Sequence, residues 1–517
     1  MFRKDQGVQA SISATGAARE GTQLAAFARI PVLAIAVVKL ALDLPFANRY
    51  GWHQDELYYL ASGNHLQLGY VDYPPITPLL SRAEEQLFGT SLTGQRVAPA
   101  VAGAILIVLA ALIARELGGG RFAQVFAAFV SLASPLFLGA NLLMQTVSFD
   151  QLWWGVALYI AARLRRTGNP RLWLWLGLTF GVALETKYTA LSLILGFAIA
   201  TLIGRRRHLA TRWPWLGAVI ALVVLAPNLA WQIQNAWPSL TYVLNHQAGI
   251  AQGQSLTEFA VGVLVLAGPG ALPVAAAGAY RLARRPDCRF LGWIILITAL
   301  VLAVSGAKNY YLGPLFTVMY AAGAVQLETM TRTTLERARG RQHRWLRPAA
   351  IALVALDLGL LPLGLPVLPA QQMIALQLWK IRSDYAAMFG WPQITAQVAA
   401  IYDSLPAAQR ATATILGADY SVAGAVDLYG PALGLPHAVS PHLTYWFWKP
   451  PHVGGGTVIT IGFDQRFVGS QFVGCHDAAT IGTFDGVTTQ ETGNHIYVCQ
   501  DPLDNLDSHW RQYRLFA

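Results

Sequence analysis

Long apolar runs recur down this chain, each about as long as a membrane is thick. A helix needs ~20 apolar residues to cross the hydrocarbon core. Such runs lie near 27–46, 96–115, 122–140, 149–165, 172–187, 189–204, 213–232, 257–280, 289–305, 310–328 and 349–368. The spacing predicts a polytopic α-helical membrane protein with about eleven spans. Charge supports this: 12% of the 517 residues are charged, against about 25% in an ordinary globular chain. The first run carries Lys39 and Asp43 and lacks a small-residue cleavage site, so it reads as a retained helix. The Ser-, Ala- and Gly-rich residues 1–26 read as a flexible cytoplasmic N-terminus.

The net charge of +10 is explained by topology rather than by nucleic acid. One set of loops holds "RELGGGR", "RLRRTGNPR", "RRRH", "RLARRPDCR" and "RTTLERARGRQHRWLR". The alternating set has only Arg49, Arg82, Arg96, Lys187 and Lys308. Lys and Arg mark cytoplasmic loops. The N-terminus is therefore expected inside, and everything beyond 368 outside the plasma (inner) membrane, in the periplasm or at the cell surface. Residues 369–517 carry strand-like "GTVITIGF" and "NHIYVC" after helix-like "ITAQVAAIYDSL", the pattern of an extracytoplasmic α/β domain with its own core. An oxidising exterior permits a Cys475–Cys499 disulfide, the alternative being two free buried thiols. Cys288 reads as an ordinary residue of a cytoplasmic loop.

Within the transmembrane unit 27–368, the first outer loop, 46–95, gathers His53, Asp55, Glu56, His65 and Asp72 among Tyr58, Tyr59, Tyr70 and Tyr73. Asp55 and Glu56 fit the start of a surface helix, where acids favour the helix dipole. Grouped carboxylates at a membrane surface also suit proton transfer or cation binding. "DYPP" sets a rigid turn, so Asp72 and Tyr73, with His53, are expected to line a substrate wall. Asp150 enters a helix from the same side, where a carboxylate is costly unless it faces a cavity or partner. Glu185, Lys187 and Lys308 sit at that level too. For the lysines the plain alternative is snorkelling, and for Glu185 with Lys187 a local ion pair. Opposite charges at one level suit an anionic amphiphile that reacts at its head. The histidines read as neutral hydrogen-bonding groups; a divalent metal is admitted as a cofactor without a clear ligand set.

These residues fall in "DELYYLA", "GYVDYPPITPLL", "LFGTSLTGQRVAPAVAGA", "SFDQLWW", "ETKYTAL", "APNLAWQ" and "AKNYYLGPLF", with "FGWPQ" and "GLPHAVSPHLTYWFW" further on. Over about 30–465 the chain resembles the GT-C type polyprenyl-phosphate-sugar-dependent glycosyltransferases. That group comprises dolichyl-phosphate-mannose-protein mannosyltransferase-like enzymes (glycosyltransferase family 39-like) and the aminoarabinose lipid A transferases. The resemblance implies transfer of a sugar from a polyprenyl-phosphate carrier, at the outer face and usually with inversion. The acceptor would be a lipid, an envelope glycan or a protein. It implies that Asp55 deprotonates or positions the acceptor, with Glu56 completing an acidic pair and Asp150 a second acid. It further implies that Lys187, Lys308, Tyr310 and Tyr311 surround the carrier phosphate. "GADYSVAGAVDLYG" departs from the Asn-Tyr-Gly-Glu-like version of many relatives, since Ser421 and Val422 stand at that point. A transporter or lipid-linked sugar flippase is the alternative from another class.

Overall fold

The computed structural model describes residues 24–250, 256–305, 308–336, 345–449, 456–503 and 510–516. The expected N-terminal tail therefore lies almost wholly outside the described residues. Sixteen helices follow one another to residue 356: α1 (Arg29–Asp43), α2 (Gln54–Asn64), α3 (Ile76–Phe88), α4 (Val97–Glu116), α5 (Arg121–Ala133), α6 (Pro135–Ala140), α7 (Thr146–Thr167) and α8 (Leu172–Leu184); then α9 (Ala190–Gly204), α10 (Arg212–Gln234), α11 (Pro238–Ile250), α12 (Leu256–Ala267), α13 (Leu272–Arg284), α14 (Arg289–Val304), α15 (Gly313–Glu336) and α16 (Leu346–Leu356). Among the described residues, three helical stretches are long and apolar enough to cross a membrane: Gly94–Glu116, Arg212–Gln234 and Leu346–Gly364. A bent pair adds a fourth, and four shorter apolar helices accompany them. Several expected runs thus form helices below the full spanning length. Along α10, Trp215, Val219, Leu222 and Val223 stay exposed, which suits a helix solvated by lipid.

Between helices in lipid, close backbone approach replaces the hydrophobic drive available in water. A Cβ added to Gly177 of α8 would lie 2.0 Å from the Gly217 carbonyl oxygen of α10. One added to Gly278 of α13 would lie 1.9 Å from the Met319 carbonyl oxygen of α15.

The run expected as one span at 257–280 is broken. Helices α12 and α13 meet at 102° across the Gly268-Pro269-Gly270 turn, where Gly268 takes φ +95°. Backbone freed by such a break must find partners inside a membrane. Asp357, after α16, accepts from the Gly270 and Ala271 amides at 2.8 and 2.9 Å. The Ser134 and Tyr320 hydroxyls donate to the Ala267 carbonyl at 3.1 and 2.5 Å. Gly-Pro-Gly is turn punctuation; apolar length alone had carried the expected span through it.

The C-terminal part is built on a five-stranded sheet of order β2-β1-β3-β6-β5. Its strands are β1 (Thr414–Gly417), β2 (Ala438–Val439), β3 (Val458–Ile461), β5 (His476–Thr480) and β6 (His495–Cys499), with β4 (Phe472–Val473) and β7 (Asp501–Pro502) pairing apart. A parallel β1–β3 pair and an antiparallel β3–β6 pair make the sheet mixed. The expected helix is Trp391–Ser404, and Cys475 and Cys499 are joined by a disulfide. The core of this part is not self-contained. Trp52, Leu57 and Leu60 from the first loop pack with Ile394, Val398, Val422, Ile459 and Ile496. Cys288 also differs from expectation: it is buried against the helical core just ahead of α14.

Gly278→Val should force α13 from α15 and destabilise the bundle by ~1–3 kcal/mol, the usual cost of overpacking. A lower midpoint of thermal unfolding in detergent checks this, with Gly204→Val, at an open position, as the control.

Candidate active site

Helix α2 starts with a reciprocal cap. The Asp55 amide donates to His53 Nδ1 at 3.1 Å, and the His53 amide donates to Glu56 Oε2 at 3.0 Å. Glu56 is held further. Arg96 Nε reaches Oε1 at 2.9 Å and Nη2 reaches Oε2 at 2.6 Å, while the Met144 amide donates to Oε1 at 3.1 Å. The same guanidinium donates to the carbonyls of Ala47 and Gly51. Both side chains are sealed from solvent, at 1% and 0% exposure. Glu56 therefore spends its lone pairs on structure, and Asp55, one residue earlier, is left facing outward.

Asp55 keeps 33% of its side chain exposed. Oδ1 accepts from the Tyr420 hydroxyl at 2.9 Å and Oδ2 from Gln145 Nε2 at 3.1 Å. His53 Nδ1, already an acceptor, leaves Nε2 to face Asp384 at 3.9 Å. Burial alone would raise the Asp384 carboxyl, but Arg382 and His53 hold it below the usual carboxylate range. Tyr420 and Gln145 were not singled out in the sequence, because each meets Asp55 only through tertiary folding. The Asp-Tyr pair opening a helix at 419–420 was the available signal.

Asp72 accepts from the Tyr58 hydroxyl at 3.0 Å. Burial, reinforced by the nearby Asp55 charge, pushes its carboxyl up to about 7, and the Tyr58 bond only partly offsets that. Tyr58 in turn accepts from the Thr444 amide at 2.9 Å and stacks on Tyr420 with ring centroids 4.5 Å apart. Tyr73 is 3% exposed, bonded to Ser62 and enclosed by Tyr58, Tyr59 and Tyr70; it supports the wall from behind. The aromatic turn Leu443–Trp448 closes over this cluster, with Trp448 stacked on His65 at 4.7 Å.

A second group lies beside the first. Lys187 Nζ sits 4.3 Å from the Tyr311 ring centroid and 5.5 Å from that of Tyr310. Asp150 Oδ2 accepts from the Thr189 hydroxyl at 2.9 Å, while Oδ1 is buried without a partner. The Glu185 carboxylate oxygens are likewise buried and unpartnered. Lys308 is exposed just ahead of Tyr310 and Tyr311. The charge of Asp55 reaches Tyr310, and that of Lys308 reaches Tyr311, so the two groups adjoin. Among the described residues, no three His, Cys, Asp or Glu side chains converge as a metal site.

A helical membrane bundle whose first loop carries the acids and docks under a C-terminal mixed sheet has the fold of the GT-C type glycosyltransferases. Residues 72–231, which contain Asp72, Asp150 and Lys187, match the family described as dolichyl-phosphate-mannose-protein mannosyltransferase. Over 188 residues the chain is 28% identical to the lipid A galacturonosyltransferase RgtD of Rhizobium johnstonii; the alignment spans 35% of this chain and only 38% of that relative. The crystal structure of ArnT from Cupriavidus metallidurans in the apo state superposes with a TM-score of 0.56 at 16% identity, covering 92% of this chain and 98% of ArnT. ArnT bound to undecaprenyl phosphate gives 0.52 at 18% identity, covering 90% and 97%.

Two measurements test this geometry. Glu56→Ala leaves the Arg96 charge buried and unpaired, a change that costs ~3–5 kcal/mol; denaturant or thermal unfolding should report a loss on that scale. Asp72 holds a proton in the folded state up to about pH 7, whereas unfolded aspartate releases it near ~3.9. Between those values the native state binds more protons, so Asp72 makes stability fall as pH rises. Asp72→Asn should flatten the dependence of the unfolding midpoint across that window.

Proposed function

We propose that this protein transfers a sugar from a polyprenyl-phosphate carrier to an acceptor hydroxyl or amine on an envelope lipid, glycan or protein. The observation that carries this reading is Asp55. It is a partly open carboxylate, oriented through both oxygens by Tyr420 and Gln145, within electrostatic reach of Tyr310, whose ring flanks Lys187 together with that of Tyr311.

In this reading Asp55 takes the acceptor proton as the acceptor atom attacks the anomeric carbon. The bond from that carbon to the phosphate oxygen breaks, and its electron pair leaves with the carrier as polyprenyl phosphate. Lys187 and Lys308 stand where that charge develops, the arrangement in which fixed cations lower a barrier most. Attack opposite the leaving group inverts the anomeric centre. Asp150, joined to Thr189, borders the lysine group. Glu56 positions rather than reacts, because its oxygens are occupied by Arg96 and backbone amides. His53 orients the start of α2, and Asp72 lines the wall. Undecaprenyl phosphate bound to ArnT is the precedent for the carrier.

The same reading sets about eleven crossings in the unit 27–368, an outward-facing loop 46–95 and an extracytoplasmic part 369–517. The basic loops of the opposite face support that orientation, and so does the Cys475–Cys499 disulfide, which suits an oxidising compartment.

The decisive experiment reconstitutes the full chain with lipid-linked sugars extracted from membranes and follows their consumption by mass spectrometry. Asp55→Asn should slow turnover by ~10²–10⁴-fold, the range for losing a general base, with the unfolding midpoint unchanged. An Asp55→Asn protein that turns over donor at the wild-type rate would sink the mechanism.

A further inference from the structure

At the end of the bundle away from Asp55, two loops enclose a cavity of about 610 Å³. Helix α9 links the two levels. It starts beside Thr189, the partner of Asp150, and ends at Gly204, so its fifteen residues span ~22 Å at 1.5 Å per residue.

Arg205, Arg206 and Arg207 enter the cavity from the α9–α10 loop, and Arg289 enters from the start of α14. Asp287 is the one acid among the lining residues, and Arg165 already holds it at 2.6 Å. Arg205 is fixed by its place over the Phe290 ring, 5.1 Å from the centroid, and by a 3.2 Å bond to the Arg165 carbonyl. Among the described residues, Arg206, Arg207 and Arg289 have no carboxylate partner. Membrane orientation accounts for basic loops as such. It does not account for two loops converging on one cavity whose only acid is neutralised.

The walls carry a second message. Ile203 and Trp293 line the same cavity and are 53% and 38% exposed. Guanidinium forks match phosphate oxygens bidentately, while an exposed tryptophan is typical of the level where headgroups meet acyl chains. A soluble anion has no use for the apolar rim; an amphiphile uses both parts.

We propose that this cavity binds the phosphate headgroup of an anionic phospholipid, with an acyl chain lying along Ile203 and Trp293. The cytoplasmic leaflet as its source rests on the orientation proposed above; the headgroup chemistry does not. Such a lipid offsets part of the clustered positive charge and ties the α9–α10 loop to the start of α14.

The test is native mass spectrometry of the full-length protein in detergent, titrated with phosphatidylglycerol against phosphatidylcholine. Wild type should retain phosphatidylglycerol preferentially, and millimolar inorganic phosphate should not displace it. Arg206→Gln with Arg289→Gln should weaken binding by roughly 25-fold, at roughly fivefold per arginine removed. Arg206→Lys with Arg289→Lys preserves the loop charge that directs insertion and should keep most of the affinity. Unchanged binding in the Gln pair overturns the proposal. So does displacement by inorganic phosphate at the lipid's own affinity, which would make this a soluble-anion site. Asp55→Asn should bind the lipid normally, so a failed transferase reading and a failed lipid site are told apart.

Discussion

The ion pair of Glu56 with Arg96 is the knot on which the site depends. A fully buried charge is tolerable only when a partner and further hydrogen bonds meet it. Here one guanidinium and one carboxylate gather the segment after the first helix at Ala47, the turn at Gly51, the start of α2 and the bend before α7 at Met144. Neither residue has to touch a substrate for the site to need them. They decide that the next carboxylate along, Asp55, leaves the protein interior at a fixed angle.

Around that knot the first loop is a shared floor. Its apolar face completes the core under the sheet, and its tyrosines stack with Tyr420 and the Leu443–Trp448 turn. Gly424 lets the helix Tyr420–Tyr429 lie against α2, since a Cβ there would meet Leu57 Cβ at 3.0 Å. The membrane bundle supplies the lysine and its aromatic flank, and the C-terminal part supplies the tyrosine that orients the acid. Neither half holds the whole constellation.

Much of this was legible in the sequence because it is local. Apolar length and loop charge announce a membrane bundle, and the acids of the first loop stand out against a chain with few charges. The helix start near Asp55 and Glu56 follows from acids that favour a helix dipole, and the strands β3 and β6 follow from the strand-like runs "GTVITIGF" and "NHIYVC". What was not legible is pairing at a distance. Arg96 reads as a loop charge until it is seen 40 residues from its carboxylate partner. The sheet reads as an independent domain until Trp52 and Leu57 enter its core. The break at Gly268-Pro269-Gly270 needed Asp357, Ser134 and Tyr320 from elsewhere to make it tolerable in lipid.

The contact between Asp55 and Tyr420 joins residues 365 apart in sequence, and that between Tyr58 and Thr444 joins residues 386 apart. During synthesis the acid loop emerges early, while the ribosome still has most of the chain to make. Until residues 420–444 emerge and fold, Asp55 lacks its orienting hydroxyl and Asp72 lacks the clamp on its tyrosine. The chain thus carries a built-in order of assembly in which a partly made protein holds the lysine and its aromatic flank but no aligned acid. Maturation of the site is timed by translation itself.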